Sequence, residues 1–332
     1  MAPIPRRGLR SDGSASPPER PETDRRFRRR LLWVDTSKAH VTTMPFLESV
    51  PMTAHPTRSE VAPSPRRDSL RRLFRAITIL ALVSFSGPGP LRAETEADLA
   101  PIDLPLFARI LEGHTRAAAD IVGTRVNYES LKKSSDWEQL TLQVRRAKPS
   151  QLARNERIAY WINAYNILTI DLVLKHYPVE SIRDIGSFFF PVWDKTVATI
   201  EGREISLGFI EHEILRKLDE PRIHAAIVCA STSCPPLSRT PFHADALDQE
   251  LNTAMRVWLA SSEKAIAIDR ANHRIRLSAI FDWFEEDFRS RGGVLSAIAP
   301  HVSNEDAEWL RGSGRDATIR YFDYDWTLND FE

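Results

Sequence analysis

The chain has 332 residues, of which 42% are hydrophobic and 45 basic side chains balance 45 acidic ones, the mix of an ordinary globular protein with one large or two modest domains. The zero net charge hides an asymmetry: residues 1–93 carry 17 Lys/Arg against 8 Asp/Glu, which leaves 28 against 37 in the remainder. An acidic remainder repels phosphate backbones and anionic lipid, so nucleic acid is excluded from the expected partners.

Residues 1–70 are rich in proline and arginine without an apolar period and read as a disordered extension, or as sequence upstream of a later start at Met44 or Met52. Arg71, Arg72 and Arg75 then precede the apolar run Ala76 to Phe85, which is too short to span a bilayer, and a Gly-Pro-Gly-Pro breaker at 87–90 follows. Residues 71–93 therefore read as a signal peptide cleaved after Ala93, although Leu91 fits the small-residue rule poorly; a single membrane anchor is the alternative. The mature protein, 94–332, is expected in the periplasm or outside the cell, with no stable membrane insertion after cleavage and in a compartment where thiols can pair.

Along the mature chain, apolar spacing from Ile102 to about His114 predicts a first helix, and Val126 to Tyr128 leads into a second that ends in the polar segment 132–136. Pro149 and Ser150 make a break and an N-cap before the strongest helix, ERIAYWINAYNILTIDLVLKHYP, apolar over most of its circumference and therefore buried, with Asn163 and Asn166 taken inside. Each buried amide must find partners or cost about 1 to 3 kcal/mol. TVATIEGREISL predicts a hairpin around Glu201-Gly202, residues 208–218 a helix, and the β-branched run in RIHAAIVCASTSCPPL, 222–237, a buried strand that ends at Cys229. An amphipathic helix over about 245–261, a second hairpin around Ala271-Asn272, a helix capped by Ser278 through Phe288, two short helices and a last alternating run complete the chain. The class is α+β: one helix-rich domain with a small, mostly antiparallel sheet.

The chain has no Gly-rich phosphate loop, no G-x-S-x-G elbow and no C-x-x-C; His212-Glu213 starts a zinc-protease pattern that Arg216 breaks, so neither a metal nor a cofactor is expected. Chemistry then rests on Cys229 and Cys234, the two cysteines of the protein. A free thiol with pKa of about 8.5 needs a shift of about two units to be mostly thiolate at neutral pH. His212, oriented by Glu211, could supply it, whereas His224 would face the opposite side of a regular strand from Cys229. Hydrogen-bonded core histidines are the bland reading of both. A Cys229–Cys234 disulfide is a further reading, and it requires residues 230–233 to turn, because five extended residues separate Cα atoms by about 17 Å against the 4.4–6.8 Å (about) that a bridge accepts. The aromatic and acidic run FDWFEEDF reads as core plus solvated face rather than a ligand platform.

The stretches VNYESL at 126–131, 159–185, IEHEILR at 210–216, 222–237, the IFDWFEEDF helix and YDWTLND at 324–330 together resemble the family catalogued as domain of unknown function 547. The resemblance implies an exported bacterial protein with a helical core and a small sheet. It also implies that Asn163, Asn166, Glu211, His212, His224 and Cys229 are the residues relatives keep, whereas the Cys234 position is serine in some of them. That favours Cys229 as the functional thiol. A papain-like architecture enters by analogy alone. Two functions are carried forward. One is a cysteine-dependent amide or thioester hydrolase or acyl transferase acting on a small molecule or peptide, with Cys229 as nucleophile, His212 as base, Glu211 or an asparagine amide as its orienter and the N–H groups of 230–233 on the oxyanion. The other is a non-catalytic extracytoplasmic binding or scaffold domain.

Overall fold

A computed structural model describes residues 101–331 except Phe188, and both residues 71–93, expected as a signal peptide, and residues 1–70, expected as an extension, lie outside the described residues. The chain divides into two units, Met1–Ala93 and Glu94–Glu332, and every described residue belongs to the second.

Helix α1, Leu104–His114, is capped by Asp103, whose carboxylate accepts the Leu106 N–H at 2.8 Å. A short antiparallel pair, β1 (Thr115–Ala117) and β2 (Thr124–Val126), leads to the single turn α2 (Tyr128–Leu131). The segment expected to close the second helix instead opens a new one, α3 (Ser135–Arg146). Asp136 and Glu138 in its first turn and Arg145 and Arg146 in its last suit the helix dipole, so polar composition there marked a helix start and not a stop.

The 23-residue helix α4 (Arg154–His176) is the centre of the molecule, with every residue from Ile158 to Leu174 buried. Its start differs from expectation. Pro149–Gln151 form a separate 3-10 turn, and the helix begins after Ala153, whose free N–H is taken by the Glu156 carboxylate at 2.8 Å.

The predicted hairpin is present as β3 (Thr196–Ile200) and β4 (Arg203–Ser206), with Glu201 and Gly202 both at positive φ as a tight two-residue turn demands. From Leu207 the chain is helical but uneven: α5 (Leu207–Phe209), a π-helical stretch Ile210–Leu215 and a 3-10 turn Arg216–Leu218. The strand expected over 222–228 is not formed. Pro221–Ala225 is a 3-10 helix, and residues 227–229 run on without a ladder partner. An apolar run of that length is ambiguous between a buried strand and a buried coil, and packing against α4 decided it.

The second half follows the predicted order: α6 (Leu247–Leu259), the antiparallel pair β5 (Ile266–Asp269) and β6 (Arg274–Leu277), and α7 (Ala279–Trp283) capped by Ser278. The last helix was expected to continue through Phe288; it changes to 3-10 winding over Glu285–Arg291. Helices α8 (Val294–Ile298) and α9 (Asn304–Arg311) precede β7 (Thr318–Tyr321), which pairs with β6 in parallel. Among the described residues the strands thus form three small sheets, antiparallel apart from that last pairing. One hydrophobic cluster surrounds α4, and a second is built on Trp258, Phe281 and Phe288. Among the described residues no helix is long and apolar enough to cross a membrane.

Candidate functional site

Two buried asparagines of α4 determine where the cysteine segment runs. Asn166 donates through Nδ2 to the Ala226 carbonyl and accepts the Val228 N–H through Oδ1, both at 2.9 Å. Asn163 grips Phe242 the same way, at 2.8 and 2.9 Å. Each amide therefore stands in for a β-strand neighbour, satisfying one N–H and one C=O of an unpaired backbone deep in the core. The chain leaves the Asn166 clamp at Val228 and delivers Cys229 directly after it.

At Ala230 the backbone turns through a left-handed conformation, φ 58°, which costs a non-glycine residue about 1 to 2 kcal/mol. The C-terminal segment over-determines this turn. Asn329 N–H donates to the Ala230 carbonyl, Thr232 N–H to Thr327, and Ser233 N–H to Asp325, at 2.8–3.1 Å. The Thr232 and Ser233 N–H groups offered for an oxyanion are consumed by these bonds. Cys234 N–H closes the loop onto Ser231 O at 3.1 Å.

The turn folds the two cysteines back on each other as free thiols, both buried. Cys229 N–H donates to Cys234 Sγ at 2.9 Å, and the Tyr324 hydroxyl donates to the same sulfur at 3.3 Å. Tyr324 joins both cysteines to Ser231. Ser231 Oγ donates to the tyrosine oxygen at 3.2 Å, and the single phenolic proton goes to Cys234. Cys229 Sγ lies 3.2 Å from the Tyr324 hydroxyl and 3.1 Å from Ser231 Oγ. Cys234 is thus the sulfur on which donors converge. Burial raises its pKa, but the hydrogen bonds from Cys229 and Tyr324 outweigh burial and hold the thiol down at about 6. Burial, with the neighbouring Cys234, pushes Cys229 far up. The donors thus gather on the second cysteine and not on Cys229, the sulfur the resemblance favours, for a reason invisible in spacing.

Around the pair stand Tyr128 and Tyr165, both buried and both raised by that burial and by nearby acids. Glu211, on the π-helical stretch, is buried with its carboxyl pushed up to about 7 by desolvation, and it accepts from Tyr165 OH at 3.3 Å. Lys264 donates to the carbonyls of Thr232 and Cys234 from the far side of the loop.

The predicted histidines belong to a different cluster. Neither hydrogen-bonds a cysteine sulfur; the polar neighbours of Cys229 Sγ are Ser231 and Tyr324. His212 Nδ1 lies 3.1 Å from Arg216, a permanent donor, so Nδ1 is the acceptor and the ring is neutral with its proton on Nε2. Burial and the Arg216 charge lower its pKa to about 4. His224 is buried, stacked on Phe284 at 4.3 Å, and donates from Nε2 to Asp287 at 2.7 Å. Arg216 meets the same carboxylate in a bidentate pair, 2.6 and 2.7 Å, and reaches Glu286 at 2.6 Å. Burial acts to raise Asp287, yet His224 and Arg216 hold it at about 2. The parity objection to His224 fell with the strand, but its partner is a carboxylate and not a thiol. Beside this cluster lies an open cleft of about 340 Å³ lined by Arg216, Asp219, Glu220 and Asp287. Among the described residues no group of three or more His, Cys, Asp or Glu side chains is placed to hold a metal.

With this geometry in hand, comparison with known families gives one result. Residues 149–259 match the family model described as Protein of unknown function, DUF547. Neither the curated proteins nor the solved structures returned a match. The DUF547 segment contains Asn163, Asn166, Glu211, His212, His224 and both cysteines. Lys264, Asp287 and Tyr324, which complete the two clusters, lie outside it. Sequence reasoning missed all three. The one available signal for Tyr324 was the YDWTLND stretch itself, and nothing local marks a lysine in SSEKAIAID as buried.

Proposed function

We propose that this chain is an exported thiol protein whose Cys229–Cys234 pair performs thiol–disulfide exchange. The observation that carries the reading is the hydrogen bonding of the pair: Cys234 Sγ accepts from the Cys229 N–H and the Tyr324 O–H, while burial pushes the adjacent Cys229 thiol up. A low-pKa attacking thiol next to a high-pKa resolving thiol is what exchange requires. The Cys234 thiolate attacks one sulfur of a substrate disulfide; that S–S bond breaks and the departing sulfur takes a proton. Cys229 then gives up its proton and attacks Cys234, releasing the second substrate thiol and leaving a Cys229–Cys234 disulfide. Two protein thiols are oxidised and one substrate disulfide is reduced, and the reverse direction runs through the same intermediate. Tyr324, half-buried on a stretch without regular structure, is the cover that must swing aside for substrate to reach sulfur. The export signal read at 71–93 supports an oxidising compartment outside the cytoplasm, and a peptide or small-molecule disulfide is the substrate class.

Cysteine-dependent amide or thioester hydrolysis or acyl transfer is the second reading. It is favoured by Glu211, a buried carboxyl titrating near 7 in the field of Cys234, as proton acceptor. His212 is a poor base for it, being committed through Nδ1 to Arg216. One experiment separates the readings. Reduced protein is mixed with an aromatic disulfide that releases a coloured thiol, and with a chromogenic thioester, using wild type and Cys229→Ser. Exchange predicts two coloured thiols per wild-type molecule and a trapped mixed disulfide on Cys234 in the variant, with no thioester turnover. Thioester turnover that survives Cys229→Ser overturns exchange in favour of acyl transfer, and ordinary unreactive thiols overturn both in favour of a non-catalytic domain.

A further inference from the structure

Lys264 precedes β5 and is 3% exposed, an unusual place for an ammonium. Its Nζ donates to three backbone carbonyls: Val122 at 2.9 Å, Thr232 at 3.0 Å and Cys234 at 2.6 Å. Three protons meet three acceptors, so the group is fully satisfied without a carboxylate. Two of the carbonyls belong to the cysteine loop. The third comes from the β1–β2 turn, where Gly123, φ 78°, allows the backbone to press on Pro236; a Cβ there would lie 2.8 Å from the Pro236 ring. A buried charge on carbonyls alone costs desolvation that a methionine of similar length would avoid, so fixing the loop does not by itself account for a cation at this place.

We propose that Lys264 is a positioning residue for the thiol pair: its buried ammonium pins the Thr232–Cys234 backbone and supplies the positive charge that keeps Cys234 a thiolate. The inference rests on the assignment of Cys234 as the activated thiol. The other titratable groups in the field of the pair are Glu211, Tyr128, Tyr165 and Tyr324, acids that carry no positive charge and, when ionised, disfavour a thiolate. Lys264 is the cation in the field of both cysteines, held on the carbonyl of Cys234 itself. The coupling is reciprocal: burial lowers the amine to about 8, and Cys234 and Cys229 act to raise it again.

The test uses Lys264→Met and Lys264→Arg in the full mature protein. The readouts are the pH profile of iodoacetamide alkylation at Cys234, the reduction potential against glutathione, and thermal stability. The inference expects Lys264→Met to raise the thiolate midpoint by about one unit, slowing alkylation about tenfold below that midpoint, and Lys264→Arg to restore part of it. An unchanged midpoint in a folded Lys264→Met protein, whatever its thermal stability, overturns the electrostatic role. Should the Met variant not fold, the amine titration of Lys264 followed by NMR in Cys234→Ser decides: a downward move on loss of the thiolate supports the coupling, and no move overturns it. A wild-type Cys234 with an ordinary thiol midpoint instead refutes the proposed function itself, so the two failures are distinguishable.

Discussion

The thiol cluster and the histidine cluster both draw on residues 211–234 and do opposite things with buried polarity. In the histidine cluster every charge has a fixed counterpart: Asp287 takes Arg216 bidentately and His224 on top, and His212 is held neutral by Arg216. In the thiol cluster the groups are acids and donors whose protons can move, Cys229, Cys234, Tyr324 and Ser231, with Glu211 at the edge. The first is a staple between the π-helical stretch and the 285–291 turn; the second stores a proton that chemistry can use. Residue type alone would have ranked them the other way, since histidine and aspartate are the more usual catalytic pair.

Breaking the staple should cost most. Asp287→Ala leaves His224 buried without its acceptor and Arg216 with Glu286 alone, and unfolding in denaturant should show a loss of about 3 kcal/mol with the thiol midpoint unmoved. A comparable shift of the thiol midpoint would mean that the clusters are one system. Acid titration supplies the sign: Asp287 has a folded pKa below its ordinary value, so its contribution is complete above about pH 4 and is lost as pH falls through about 2.

Cys234→Ser should abolish the low-pH alkylation phase, leaving Cys229 to react at least about tenfold more slowly at neutral pH. Equal reactivity of the remaining thiol would reverse the assignment of the pair. Tyr324→Phe removes one hydrogen bond to the thiolate and should slow alkylation about threefold at pH values below the thiolate midpoint, with little change at neutral pH, since such a bond contributes about 1 kcal/mol or less. Glu211 has a folded pKa raised from 4.5 to about 7, so stability should fall as pH rises through that window; Glu211→Gln should flatten that slope, as equilibrium unfolding at several pH values would show. The smallest effect is expected at Phe190, 72% exposed, where Phe190→Ser should change stability by less than about 0.5 kcal/mol and leave both clusters intact.

Periodicity carried the long helices and the hairpins, because α4, α6, β3–β4 and β5–β6 express local patterns that packing only had to accept. It failed at 132–136, where one turn ends and a new helix starts, and at Ser150, displaced as a cap by the Glu156 carboxylate. The site was legible only as a list. Cys229, Cys234, Glu211, His212, His224 and the two asparagines were all named, but their grouping was not.

What the sequence determined by itself is an α+β chain with a buried central helix, two internal amides and two cysteines within reach of one turn. The tertiary structure decided that residues 222–228 are not a strand, that the histidines face Arg216 and Asp287, and that hydrogen-bond donors converge on Cys234. The reason is physical. A thiol pKa is fixed by which donors reach the sulfur, and these come from Tyr324, 90 residues downstream, and from a left-handed turn at Ala230 held by the C-terminal segment. No local pattern encodes contacts of that range.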